Sequence, residues 1–482
     1  MSSTPDSLRV AVVGHANTGK TSLLQTLLRR RDFGEVGPRG GTTRVVEVGE
    51  IRDEEGSIAE IVDTPGLEDS IRLRDAIEAG RAERHEDPRT LLDRFLESPA
   101  ARDDDDLGLE AASLRAALDA DVLLYAIDAR EEPRPRHLEE LVVLAATARP
   151  LVPVLNFVAR PEADAARWRE ACARQGLHAT VAFDAVVYDD TGERRLLEAI
   201  RALVPTRAAD IDRWVDRRRT EQGAAIDAAL ECASELVVDA AAAIVVTAPI
   251  DAASDEERDR DPTFRAGVET LLDRTRDREA ACRDRIAAIF GFTGEDAIAT
   301  NLEIVEALGG VDFASPASLE RAGLWAAGAG TGLVAAGAMV DLATGGVSLG
   351  GFTALGAVGA ALGAAGASGR KILRRWRGQQ EIRLGDAAIE TLARRSLATI
   401  LAFLARGHAA LEPAPIDAAA IAGAAEGDAA DLLRACRSAR GRAAWSAISM
   451  PAATAPPGPG RAEAVREVGS RMKDALRATR GA

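Results

Sequence analysis

Apolar and polar positions follow two different rhythms along this chain. Arg9–Val13 is a short β-branched apolar run, as in a strand buried on both faces, and Ser22–Leu28 continues with apolar residues at helical spacing. Val45–Ile51 and Ser57–Val62 read as two strands of a hairpin around Asp53-Glu54-Glu55-Gly56. Further strands are predicted at Asp121–Ile127, Leu151–Leu155 and Ala179–Phe183. Helical periodicity follows each, at His137–Ala148, Pro161–Gln175 and Glu193–Leu203. Strand and helix in alternation predict an α/β domain over 1–205, with a mostly parallel sheet between helices. Residues 67–120 are longer than a simple connection and read as a helical insertion. Their acidic run, Asp103–Asp106, fits that insertion or a solvated loop.

Beyond residue 205 the rhythm becomes helical. Patterns at about 208–243 and 254–290 flank the apolar piece Ile244–Ile250. Ala-rich helices are predicted at 379–411 and 416–447. Ala452–Gly460 reads as a linker, and a final basic-leaning helix spans Arg461–Thr479. We therefore expect an all-α second half, divided into 206–320, 321–378 and 379–482.

The middle segment differs in kind. Between residues 322 and 369 Asp341 is the only charge. Ala322–Val340 and Leu349–Gly369 would make helices of about 28 and 31 Å, lengths that approach a hydrocarbon core. Gly328 and Gly332 form a G-x-x-x-G, and Gly356, Gly359, Gly363 and Gly366 share one helical face. Glycine costs a helix about 1 kcal/mol against alanine, so close backbone approach of two helices is the reason to expect. Arg321 precedes this Gly/Ala-rich hairpin, and Arg370, Lys371, Arg374, Arg375 and Arg377 follow it. Such flanks suit contact with the inner membrane from the cytoplasmic side; a tightly packed hairpin under other helices is the alternative.

Length and composition narrow the classes. At 482 residues two or three domains are expected, and the 47% apolar content is ample for their cores. A net charge of −16 argues against coating nucleic acid, which needs clustered Lys and Arg. Cys172, Cys232, Cys282 and Cys436 are far apart with no C-x-x-C pair, so reduced thiols in a cytoplasm are expected. The polar start MSSTPDS runs straight into the first strand without the pattern of a signal peptide.

The chemistry sits between the first strand and the first helix. Gly14-His15-Ala16-Asn17-Thr18-Gly19-Lys20-Thr21 fits G-x-x-x-x-G-K-[ST], and Ser22 follows it into the helix. Main-chain amides of such a turn, together with a helix N-terminus, cradle phosphate oxygens. Lys20 then reaches the β- and γ-phosphates and the Thr21 hydroxyl ligates Mg²⁺. Asp63-Thr64-Pro65-Gly66 ends the second hairpin strand. A D-x-x-G at that place holds the magnesium shell through its Asp and meets the γ-phosphate with its Gly amide.

GHANTGKTSL, GGTTR and DTPGLED together resemble the TrmE–Era class of bacterial GTPases, over roughly residues 8–204. The resemblance implies GTP and GDP as ligands, with Mg²⁺ held by Thr21, Asp63 and Thr43; Thr42 is the neighbouring alternative. In potassium-activated members an asparagine placed like Asn17 holds K⁺ against the phosphates, though Asn17 also simply favours a turn. Leu67 falls where Ras-like enzymes keep a water-orienting Gln, so slow unassisted hydrolysis is expected. The catalytic set is then Asn17, Lys20, Thr43 and Gly66. The pattern departs from the class at Asn156-Phe157-Val158-Ala159, where N-K-x-D is usual. Asn156 remains, Phe157 offers a ring for stacking, and no carboxylate stands at 159, which puts guanine discrimination in doubt. Asp184-Ala185 marks the second base-contacting loop. VVGHANTGKTSLL, the TTR-to-DTPGLED spacing and PVLNFVA further resemble a bacterial GTPase family that joins this G domain to a C-terminal domain of unknown function.

The function expected is a GTP-hydrolysing switch coupled to the helical half. It would be cytoplasmic, peripheral at the inner membrane through a lipid or membrane-protein partner, and open to nucleotide-dependent dimerisation. A nucleotide-gated scaffold with negligible turnover is the alternative. A TrmE-type role on transfer RNA is the third reading, with nucleic acid disfavoured by the charge.

Overall fold

The computed structural model describes residues 7–34, 46–83, 85–102, 107–251, 261–293, 379–410, 429–449 and 460–481. Thr42 and Thr43, the Asp103–Asp106 run, the linker from 452 to 459 and the hairpin at 321–378 lie outside the described residues. Among the described residues, no helix is long and apolar enough to cross a membrane.

The chain divides into two compact units, Met1–Ala224 with Leu404–Ala414, and Ala225–Phe403 with Pro415–Ala482. The first is built on a six-stranded sheet: β1 (Leu8–Val13), β2 (Glu47–Asp53), β3 (Gly56–Asp63), β4 (Val122–Asp128), β5 (Leu151–Asn156) and β6 (Val181–Ala182). Its order is β2-β3-β1-β4-β5-β6. Every pairing is parallel except the β2–β3 hairpin at one edge. β1 is central, and its side chains alternate between two cores. Leu8, Val10 and Val12 face one side with Leu23, Leu24 and Leu27 of α1 (Lys20–Leu28). Ala11 and Val13 face the other. A strand covered on both faces needs apolar residues at every position, which is why the run shows no alternation.

The stretch between β3 and β4 carries three helices: α2 (Ser70–Ala79), α3 (Pro88–Glu97) and α4 (Gly108–Asp119). They lie on the Ala11/Val13 side with α5 (Pro135–Ala145) and α6 (Ala165–Arg174). α7 (Asp190–Leu203) and the start of α8 (Ala208–Ala242) cover the opposite side, where Trp214 is fully buried. Arg218 of α8 pairs with Glu193 at 2.8 Å, and its second arm donates to the Leu27 carbonyl at the end of α1. This early part of α8 thus belongs to the core of the first unit.

The second unit is helical, with one small sheet that the hydropathy pattern does not reveal. β7 (Val245–Pro249) pairs antiparallel with β8 (Gln379–Ile382), so the helix expected from 379 begins only at α10 (Asp386–Leu404). α9 (Pro262–Ile289), α11 (Ala429–Cys436) and α12 (Arg461–Gly481) complete the described helices; the described part of the run expected at 416–447, from 429 on, holds α11 and a short 3-10 turn, Ala443–Trp445. Asp239 is the polar centre of this unit. Its side chain is fully buried, and it accepts from Arg278 and Arg461, both at 2.8 Å. Two guanidinium partners satisfy a charge that would otherwise be costly to bury.

Cys232 and Cys282, on α8 and α9, come together with their sulfurs 3.2 Å apart, both buried as free thiols. Mild oxidation of the folded protein is expected to join them, leaving Cys172 and Cys436 to react with a thiol reagent after denaturation. Cys232→Ser should abolish the bond, and mass spectrometry of the tryptic peptides reads the outcome directly.

Candidate functional site

The phosphate-loop sequence forms the turn between β1 and α1. Lys20 is 7% exposed, and its ammonium donates to the carbonyls of Gly14 at 3.1 Å and His15 at 2.8 Å. The loop is therefore wrapped around its own lysine, with Thr18 Oγ1 closing it by donating to His15 O at 3.0 Å. Burial lowers the Lys20 pKa to about 8, against the opposing pull of Asp63, Glu140 and Glu68. Asn17 holds φ +64°, a left-handed conformation that asparagine tolerates better than most residues. Ser22 stands half-buried in the first turn of α1.

The D-x-x-G segment leaves the end of β3 beside this loop. Thr21 Oγ1 donates to Asp63 Oδ2 at 2.7 Å. A hydroxyl and a carboxylate at that separation are hard oxygen donors that suit Mg²⁺. Thr64 is turned away from them, donating to Val12 O at 2.7 Å and fastening β3 to β1. The Pro65 carbonyl accepts from Ser113 of α4 at 2.8 Å. Leu67 is fully buried in the core, so its side chain offers nothing to an attacking water. Glu68 is exposed, and Asp69 caps α2 by accepting from Arg72 N.

The expected base-reading residues hold two loops together. Asn156 Nδ2 donates to Thr18 O at 3.1 Å, and its Oδ1 accepts from Phe157 N and Ala185 N, both at 2.9 Å. Its amide thus ties the phosphate loop to the loops that start at Phe157 and at Asp184. Asp184 accepts from Ala159 N, Val186 N and Val187 N. A carboxylate with three amide donors fixes the loop it starts. Phe157 holds φ +58°, an outlier for an aromatic residue, with the Arg130 guanidinium 4.1 Å over its ring. Asp128 orients that guanidinium by a two-point contact at 2.7 and 2.9 Å. The pair extends an aromatic and cationic surface from the loop after β5.

Two parts of the site carry no local signal in the sequence. One is a buried polar cluster under the phosphate loop. His15 Nδ1 lies 2.8 Å from Leu67 O and 3.0 Å from Glu140 Oε1, while Tyr125 donates to Glu140 Oε2 at 2.8 Å. The other is the short stretch Ala405–Gly407. Tyr188 N donates to Ala405 O at 3.1 Å, Gly407 N donates to Val186 O at 2.9 Å, and Val187 and Arg406 form an antiparallel bridge. A segment more than two hundred residues downstream thereby pairs with the loop that Asp184 and Ala185 begin.

Residues 9–157 match the family model described as a 50S ribosome-binding GTPase. The model of a domain of unknown function, DUF3482, matches residues 169–468 and so begins inside α6. No curated protein matches the chain. Among solved structures it is similar to Era in complex with MgGDPNP and a 16S ribosomal RNA fragment, at 20% identity over 50% of this chain and 73% of that one, with a TM-score of 0.30. It is also similar to an NFeoB variant of S. thermophilus bound to GMPPNP, at 19% identity over 47% and 72%, with a TM-score of 0.27. The bacterial selenocysteine-specific elongation factor is similar at 18% identity over 42% and 29%, with a TM-score of 0.26.

Proposed function

This chain belongs to the DUF3482 family, and from the P-loop GTPase domain it also carries we propose that it is a slow, magnesium-dependent GTP switch. The buried Lys20 inside the phosphate turn, beside the Thr21–Asp63 pair, carries this reading. An ammonium kept out of water binds phosphate oxygens more strongly than an exposed one. Thr21 and Asp63, with Thr43, would hold the Mg²⁺ ion, which when bound neutralises charge between the β- and γ-phosphates.

Slow turnover follows from Leu67, whose apolar side chain lies in the core. Potassium stimulation through Asn17 is the finer part of the proposal; it rests on the place of that residue in the loop and the amide oxygen it offers a cation. The state of the site would pass to the helical region, with residues 322–369 as the part meeting a membrane surface, a role that liposome flotation with and without them tests. The same buried Leu67 supports one second reading, a nucleotide-gated scaffold without useful turnover.

Phosphate release by the full chain, measured in K⁺ and in Na⁺, separates the two. The switch enzyme should release phosphate above a Lys20→Ala control, faster in K⁺. Equal rates in both salts remove the potassium role, and no release above the control leaves the scaffold. Calorimetric titration with GTP, GDP, ATP and XTP then reports whether a loop lacking a carboxylate at 159 still selects guanine.

A further inference from the structure

We infer that His15, anchored by Glu140, is a positioning residue for GTP hydrolysis that fixes the Asp63–Gly66 turn against the phosphate loop through the Leu67 carbonyl. The inference rests on the GTPase reading above.

The two atoms facing His15 Nδ1 are both acceptors, the Leu67 carbonyl at 2.8 Å and the Glu140 carboxylate at 3.0 Å. Nδ1 must therefore carry a proton and act as the donor, whatever the charge of the ring. Glu140 gives it a fixed support. The carboxylate side chain is fully buried, and its other oxygen accepts from Tyr125 at 2.8 Å. A buried carboxylate with two donors is not free to swing, because leaving either donor exposes an unsatisfied charge. One turn away on α5, His137 packs edge-on to His15 at 5.7 Å and against Trp168 at 5.1 Å. Trp168 is itself held by its indole N–H on Glu131 O at 2.6 Å.

Leu67 is gripped from both sides. Its N–H donates to Gly14 O at 3.1 Å, and its carbonyl accepts from His15. Consecutive residues of the phosphate loop thus hold one residue of the switch. Gly66 precedes it and lies so close that a Cβ there would stand 2.9 Å from Ala16 N. The Gly66 amide, which a γ-phosphate meets in this type of turn, takes its position from those neighbours. Since Leu67 presents no polar side chain, main-chain placement is what this segment contributes. A shift of about 1 Å in such a group is enough to cost a hundredfold in rate.

The test is steady-state hydrolysis and GDP binding by the full chain carrying His15→Ala, His15→Asn or His15→Gln. The Asn amide nitrogen falls close to the place of Nδ1 and keeps the bond to Leu67 O. That of Gln lies one bond further out and loses it. Expected is a fall in kcat of about tenfold to a hundredfold for Ala and Gln, with most of it restored by Asn. GDP, which has no γ-phosphate, should keep its Kd within about threefold in all three variants. The Asn and Gln pair decides the matter even where Ala folds poorly. The inference is overturned if Gln turns over GTP as fast as Asn, or if GDP affinity falls in step with kcat. Absence of hydrolysis by the wild type above the Lys20→Ala control would instead defeat the underlying GTPase reading.

Discussion

Lys20→Ala is expected to weaken GTP binding by about a hundredfold or more and to abolish hydrolysis. The lysine is the one ammonium inside the phosphate turn, and its two carbonyl partners hold it there. Charge-assisted bonds to phosphate are worth roughly 3 kcal/mol, which at about 1.4 kcal/mol per tenfold gives that factor. The pH dependence supplies a second signature. Burial brings the Lys20 pKa down to about 8, so the nucleotide-free site loses its charge above that pH. Affinity should be flat below about pH 8 and fall by roughly tenfold per unit above it, until the pKa of the complex, raised by the phosphates, is reached. Folding stability without nucleotide runs the other way. The unfolded chain binds more protons between about pH 8 and 10.5, so the folded protein gains stability as pH rises through that window. Calorimetric titration of GDP from about pH 6.5 to 9.5 checks the binding limb. A profile that stays flat to the top, or one that Lys20→Ala leaves unchanged, would sink the assignment.

Local features were legible in the sequence and distant ones were not, for identifiable reasons. The strand–loop–helix around Lys20 is set by neighbours within a few residues: an apolar run, two glycines and a helical period. The β2–β3 hairpin was readable because its turn chemistry lies between its strands. By contrast, β8 is the four-residue run Gln379–Ile382, too short and too polar to show a period. Its partner β7 lies more than a hundred residues upstream, so nothing near it announces a strand. His15 and Glu140 are 125 residues apart, and each reads alone as an ordinary loop histidine and an ordinary helix glutamate. Cys232 and Cys282 meet only because α8 and α9 pack together, and no motif spans their separation of 50 residues. Asn156 is the instructive intermediate. Its place after β5 was legible, but not that its amide would link Thr18 to Ala185, since those bonds go to main-chain atoms, which carry no sequence signal.

The same blindness to main-chain contacts hid the segment whose disturbance should be felt most widely. Gly407→Ala is expected to destabilise the first unit by about 3 kcal/mol and to weaken GTP and GDP binding alike by about tenfold. A Cβ at 407 would overlap Ala185 O, and would stand 2.8 Å from Ala185 C and 3.0 Å from Val186 O. All three are backbone atoms, so no side chain can rotate aside. Ala185 cannot retreat cheaply either. Its carbonyl accepts from Thr26 of α1 at 2.8 Å and its amide donates to Asn156 at 2.9 Å. Ala405–Gly407 must then lift away, losing the bonds to Val186 and Tyr188 and exposing Arg406, which is 3% exposed in the fold. The loop that Asp184 starts would lose its outer edge while the phosphate turn stayed whole. Loss of affinity should therefore ignore the γ-phosphate, in contrast to the His15 variants, where GDP binding is spared and turnover falls. A thermal melt and a GDP titration on Gly407→Ala read both effects; unchanged values in both would mean that the downstream segment merely rests on the loop that Asp184 starts and does not hold it.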